Sequence, residues 1–328
     1  MTLRLGLLST ANINRLVLAG ARASDAVDVV AVASRDPGRA EVYAREHGVE
    51  RAHGSYEALL EDPDVDAVYV SLPNSLHVEW SVRALEAGKH VLCEKPFARR
   101  PEDAARAFDA ADAAGLVLAE AFMYRHHPQT ARVAELVRDG AIGEPLLIRA
   151  AFSFVLGNPE DVRMKPELDG GALMDLGCYC VNSSRLLAGE PERVWGEQRL
   201  APAGVDITFA GTLGFAGGVL ANLHCSLELP ARQELEVLGS EATLLVQAPW
   251  RVDFGGDVLL RRGGGVERLD VPEADAYRLE LEDFAASVRG DREPLLGRDD
   301  ALGQARSLDA LYRSAEEGAA VSLPSPGA

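Results

Sequence analysis

Leu3-Arg-Leu-Gly-Leu-Leu8 and Val27-Asp-Val-Val-Ala-Val-Ala33 are short apolar runs, and the stretch between them, roughly Asn14 to Ala23, is patterned as a helix. Strand, helix and strand joined by short loops imply a parallel sheet. The alternation continues through Ala67-Val-Tyr-Val-Ser-Leu72, a helix from about Leu76 to Ala87 stopped by Gly88, and the run His90 to Cys93. A helix from about Glu102 to Ala114, stopped by Gly115, and the run Leu116 to Ala119 follow. With a short strand near Arg51-Ala52 this gives about six strands, the size of a doubly wound Rossmann domain, whose ligands sit at the carboxyl ends of the strands.

The pattern changes after residue 124. Leu146 to Phe154 reads as a strand. From Val205 to Leu229 apolar residues alternate: Ile207, Phe209, Leu213 and Phe215, then Val219, Leu223, Cys225 and Leu227, with Ala216-Gly217-Gly218 as the turn of a long antiparallel hairpin. Further runs at Glu234–Leu238 and Ala242–Val246 precede helical stretches near Tyr277–Val288 and Asp299–Glu317. The expected architecture is α/β: a Rossmann dinucleotide-binding domain over residues 1–124, then an α+β domain over 125–328 on an open, mostly antiparallel sheet. A face of that sheet bearing Phe209, Phe215 and Leu223 is expected to be exposed and to pair with another subunit, giving a homodimer or homotetramer. The last residues, Ser325–Ala328, read as disordered.

The net charge of −18, from 51 acidic and 33 basic residues in 328, is spread along the chain and argues against nucleic-acid or membrane partners. Four cysteines without a Cys-x-x-Cys pair, and seven histidines without zinc-binding spacing, predict a reducing cytoplasm and no metal. The amino terminus does not read as a signal peptide, and no stretch approaches a membrane span.

Ser9-Thr10-Ala11-Asn12-Ile13 follows the first strand and opens a helix, where backbone amides bind a pyrophosphate. The usual glycines are absent, their places falling on Ser9, Ala11 and Asn14. At the end of the second strand Ser34 and Arg35, with Arg39 one turn on, suit a 2′-phosphate and so NADP, although Asp36 is the competing signal for NAD. Leu72, Pro73, Asn74 and His77 are expected at the nicotinamide. His77 alone would read as an ordinary surface histidine.

Lys95, beside Glu94 and before Pro96, stands where a strand leaves the sheet at the cleft rim. Asp175 and Tyr179, four residues apart, stack on one face of a helix that starts at Gly170-Gly171, with Asp169 as its cap. Gly177 inside that helix costs about 1 kcal/mol against alanine, so something approaches it closely, and a cofactor ring is the expectation.

These segments resemble the Gfo/Idh/MocA oxidoreductase family over nearly the whole chain: Gly6–Ile13, Leu72–His77, Ala87–Pro96, Glu120–Arg125 and Gly170–Asp175. The resemblance makes Lys95 catalytic. With tyrosine where the family commonly has histidine, it is similar to the branch of dimeric dihydrodiol dehydrogenases and NADP-dependent D-xylose 1-dehydrogenases. It implies hydride transfer between a sugar or polyol carbinol and nicotinamide. Tyr179 would take the hydroxyl proton as a phenolate favoured by Lys95. Lys95, Asp175 and Tyr179, with Arg125, His126 and Arg163 at the rim, would bind the substrate. A keto-sugar reductase acting on a 3-keto deoxysugar nucleotide or 1,5-anhydrofructose, and a non-catalytic cofactor-sensing regulator, are the alternatives.

Overall fold

The computed structural model describes residues 2–324, and all structural statements concern these; Ser325–Ala328, expected to be disordered, lie outside them. The chain divides into two compact units, one running to His126 and including Asp275–Leu302, the other comprising His127–Ala274 and the chain from Gly303 onward.

In the first unit β1 (Leu3–Leu8), β2 (Val27–Ala33), β3 (Arg51–His53), β4 (Ala67–Val70), β5 (His90–Glu94) and β6 (Leu118–Ala121) form a parallel sheet ordered β3-β2-β1-β4-β5-β6. The connecting helices are α1 (Asn14–Arg22), α2 (Pro37–His47), α3 (Tyr56–Leu60), α4 (His77–Glu86) and α5 (Pro101–Ala114). Local chemistry sets their ends. Pro37 opens α2 with Asp36 accepting from the Arg39 N–H, and Gly48 closes it at φ 64°, while α5 opens on Pro101 and closes on Gly115 at φ 65°. Strand order reverses beside β1, which opens a crevice at the carboxyl ends of β1 and β4.

The second unit holds α6 (Pro128–Arg138), α7 (Cys178–Ala188) and nine strands: β7 (Pro145–Ser153), β8 (Pro191–Leu200), β9 (Asp206–Phe215), β10 (Leu220–Ser226), β11 (Arg232–Gly239), β12 (Thr243–Val246), β13 (Val258–Arg262), β14 (Gly265–Leu269) and β15 (Val321–Ser322). Their order is β14-β13-β12-β11-β7-β10-β9-β8-β15, with β7 and β10 parallel and the other described pairs antiparallel.

Two expectations are corrected here. Helix α8 (Ala276–Val288) belongs to the first unit, because α1 offers it Gly20, where a Cβ would stand 2.7 Å from Arg278 N. A domain boundary at residue 124 therefore misses a return of the chain that ends within α9 (Arg298–Glu317). The face bearing Phe209, Phe215 and Leu223 is not exposed: these residues are 0%, 3% and 3% accessible. The second half of α9 covers it, with the Phe209 and Tyr312 rings 5.8 Å apart. The opposite face presents Ala210, Thr212, Asn222 and His224 instead.

Candidate functional site

The turn after β1 keeps the shape of a nucleotide turn without its glycines. Ser9 has φ 155°, a value glycine takes more readily than a residue with a Cβ. Its hydroxyl donates to Ser71 O at 2.9 Å and accepts from the Ala11 N–H at 3.0 Å, while Asn14 Nδ2 donates to Ser9 O at 2.8 Å. Helix α1 has no side-chain cap and no acidic residue in its first turn. The Asn14, Arg15 and Leu16 amides already donate to the Ala11, Asn12 and Ile13 carbonyls, so it is the turn backbone ahead of the helix, at Asn12 and Ile13, that fits a dinucleotide pyrophosphate.

The acid that competed for the ribose is engaged elsewhere. Asp36 Oδ1 accepts from the Arg39 N–H at 3.2 Å and so caps α2. Arg39 extends its guanidinium to Thr10 Oγ1 at 3.3 Å, while Ser34 is buried with its hydroxyl accepting from the Asp36 N–H. Arg35 and Arg39 are both exposed just past the end of β2.

Lys95 is half-buried directly after β5. Glu94 before it accepts from Tyr69 Oη and, through Oε2, from the Lys95 N–H at 3.2 Å. His77 is neither a surface residue nor exposed to a ligand cleft: it is 1% accessible, with Nε2 2.8 Å from Leu72 O and Nδ1 3.0 Å from Pro96 O. Burial lowers its pKa to about 4, so the ring is neutral, carries one N–H and donates to only one of these two carbonyls while packing between the loops after β4 and β5. Pro73 and Asn74 lie on the first of those loops, half-buried.

Arg125 and His126 are drawn into the first unit. Arg125 Nη1 is 3.3 Å from Asp300 Oδ1, and His126 Nδ1 is 3.8 Å from Asp283 Oδ2. Burial takes His126 down to about 4 as well, leaving it uncharged.

In the second unit the helix carrying Asp175 and Tyr179 starts with a π turn at Leu173–Gly177 before α7 continues as an ordinary helix. The pair therefore does not stack as in a uniform α-helix. Gly177 admits protein rather than a cofactor ring: a Cβ there would lie 2.8 Å from Cys225 Sγ and 2.7 Å from Leu173 Cδ1. The expected cap, Asp169, instead adopts φ 52° after a short 3₁₀ turn. Asp206, which no local spacing singles out, takes over: its Oδ2 accepts the Leu173 N–H at 2.7 Å.

Arg163 Nε donates to Asp175 Oδ2 at 2.7 Å, and Nη1 donates to Asp161 Oδ1 at 3.2 Å. Asp175 first, then Asp161, raise the guanidinium pKa further. Tyr179 is 7% accessible, its ring 5.6 Å from that of Phe152 and 6.2 Å from that of Trp250. All four cysteines are buried thiols, and no helix among the described residues is long and apolar enough to cross a membrane.

Fold and turn together define a two-domain, pyridine-nucleotide-dependent oxidoreductase. The chain belongs to the Gfo/Idh/MocA family: residues 4–122 match the oxidoreductase family, NAD-binding Rossmann fold, and residues 130–245 match the GFO/IDH/MocA C-terminal domain. It is 39% identical to D-xylose 1-dehydrogenase (NADP(+)) 2 of Haloferax volcanii, over 97% of this chain and 99% of that protein. A 3-ketoreductase from Actinomadura kijaniata, in complex with NADP and TDP-benzene, is similar at a TM-score of 0.91 and 34% identity, covering 96% of this chain and 98% of that one. An aldose–aldose oxidoreductase from Caulobacter crescentus, complexed with glycerol, reaches a TM-score of 0.91 at 28% identity, covering 98% and 100%.

Proposed function

We propose that the protein is an NADP-dependent dehydrogenase of uncharged aldoses or polyols, with Lys95 and Tyr179 handling the proton. The observation that carries this reading is the state of Arg163. Its guanidinium is held by Asp175 and Asp161, so the charge that a nucleotide diphosphate would need is already neutralised. A carboxylate–guanidinium pair offers donors and acceptors suited to sugar hydroxyls. The xylose dehydrogenase relative points the same way, whereas the 3-ketoreductase relative supports the keto-sugar alternative.

When bound, the nicotinamide supplies the carbon that accepts the carbinol hydride. The chain's residues do the rest: the Lys95 ammonium donates a hydrogen bond to the reacting oxygen, and the Tyr179 phenolate takes the hydroxyl proton. Asp175, fixed by Arg163, orients a neighbouring hydroxyl. The turn backbone at Asn12 and Ile13, with Arg35 and Arg39, holds the phosphates of NADP, the preference for NADP resting on Asp36 turning one carboxylate oxygen to the start of α2 as its cap.

The test follows nicotinamide absorbance with NADP and NAD separately, against aldoses, trans-diols and inositols. Reduction of NADP by a pyranose aldose is expected, lost in Lys95→Ala and lowered by roughly 10²–10⁴-fold in Tyr179→Phe with cofactor affinity little changed. Oxidation of NADPH by a keto-sugar nucleotide, with no aldose turned over, would refute it in favour of the reductase.

A further inference from the structure

Asp206 opens β9 and is 3% accessible, yet its carboxylate belongs functionally to a different element. Oδ2 accepts the Leu173 N–H at 2.7 Å and Oδ1 accepts the Tyr312 O–H at 2.9 Å. Leu173 is the first residue of the π turn, and the residue at that turn's own cap position, Ala172, makes no side-chain cap bond. The carboxylate thus supplies from another strand the acceptor that a helix start normally finds within its own sequence.

The glycines before the turn follow from this arrangement. A Cβ on Gly171, at φ 116°, would lie 1.9 Å from Asp206 Oδ1, and one on Gly170 would lie 2.4 Å from Arg163 O. Gly170-Gly171 therefore allows the Asp206 carboxylate and the Arg163 loop to close on one point of backbone. Further along, Gly177 rests against Cys225 of β10, and Phe152 and Trp250 flank the Tyr179 ring. Between that first contact and the ring lies the π turn, whose extra residue leaves its rotation to be set by what holds its first N–H.

We propose that Asp206 is a positioning residue for Tyr179, its carboxylate bridging Leu173 N–H and Tyr312 O–H to set the rotation of the π turn and hence the placement of the phenol oxygen. This rests on the reading of Tyr179 as the proton-transfer group. Tyr312 braces the carboxylate from the second half of α9, so the bridge joins β9, that half of α9 and the π turn within one unit. Asp206→Asn retains an oxygen for Leu173 N–H, and its amide N–H can donate to the Tyr312 oxygen. Asp206→Ala loses both contacts.

The experiment combines a double-mutant cycle with a readout that does not depend on catalysis. Asp206→Ala, alone, should lower kcat by about 10–100-fold with the NADP Kd within about twofold; in a Tyr179→Phe background its effect should shrink to within about threefold. Asp206→Asn should recover most of the loss. With 3-fluorotyrosine incorporated, the ¹⁹F line assigned to Tyr179 by its loss in Tyr179→Phe should shift or split in Asp206→Ala and return in Asp206→Asn. Equal kcat losses in both backgrounds, or an unmoved Tyr179 line, would overturn the proposal. If Tyr179→Phe alone keeps full turnover, the functional reading fails, and the ¹⁹F line still decides whether Asp206 places the side chain. Should Asp206→Ala not fold, Tyr312→Phe, which removes one of the two contacts, should shift the same line and lower kcat about threefold; no shift there would overturn the proposal.

Discussion

At Ser9–Asn14 in the first unit and at Gly170–Leu173 in the second, the chain enters a helix through a tight turn, and the two turns use opposite materials. The first has no glycine: the Ser9 hydroxyl and the Asn14 amide tie the backbone into a shape that glycine would take unaided. The second has two, because carbonyl and carboxylate oxygens occupy the places of both Cβ atoms. A nucleotide turn can exchange glycine for hydrogen bonds, since what it must leave clear is the approach of a ligand. A turn crowded by its own protein has no such exchange. Glycine is required by the atoms around it more than by the motif it sits in.

The largest test of that contrast is Gly171→Ala. The added methyl group meets Asp206 Oδ1 on a backbone at φ 116°, so both overpacking and strain oppose it, and a loss of roughly 3–5 kcal/mol is expected. Gly88→Ala is the control. Gly88 also has a positive φ, 79°, but nothing lies within 4 Å of its Cβ position, so the cost should be about 1 kcal/mol. Equal losses in urea melts of the two variants would show that backbone conformation alone sets the requirement.

The same contrast extends to buried acids. Asp206 has a donor on each oxygen, whereas Glu280, 2% accessible on α8 in the first unit, has an oxygen, Oε1, that meets no hydrogen-bond partner. Burial first, then the charges of Glu94 and Asp283, push its pKa well above the ordinary 4.5. The sign of the effect follows. Above about pH 4.5 the unfolded chain releases this proton while the folded one retains it, so the group's contribution to stability falls as pH rises toward the folded pKa. The slope is at most about 1.4 kcal/mol per pH unit. Glu280→Gln should flatten the decline in Tm between pH 5 and pH 8 relative to the parent protein. Parallel curves would mean that Glu280 is ionised in the folded protein.

Much of the first unit was legible because its strands are short, mainly apolar runs bounded by local signals, as at Val27–Ala33, interrupted only by Asp28, and at Gly115 after α5. Lys95 and the Gly-Gly start were legible for the same reason: each is a short contiguous pattern. What escaped depends on partners distant in sequence. No periodicity says that α8 returns to Gly20 in α1, or that α9 covers Phe209. Asp169 carries the local signature of a cap, but its φ of 52° removes it from that role, and the acceptor comes from Asp206, whose position in sequence gives no hint of it. Arg163 could be picked out as a basic residue near the site, but its capture by Asp175 and Asp161 depends on the loop folding back over Gly170.

The smallest expected effect gives the finest test. Ser9→Ala removes the hydroxyl's bonds to Ser71 and Ala11 while keeping a Cβ at φ 155°, and should cost about 1–2 kcal/mol. Ser9→Gly loses the same bonds but relaxes the backbone, so it should be about 1 kcal/mol more stable than Ser9→Ala, close to the parent protein, with the NADP Kd within about threefold. Paired thermal melts and cofactor titrations would separate the two cases. If glycine is no better than alanine, the turn stores no strain and its hydrogen bonds merely accompany it. If glycine restores stability but weakens NADP binding, the hydroxyl network does more than replace a glycine, because it also orders the backbone proposed to meet the phosphate.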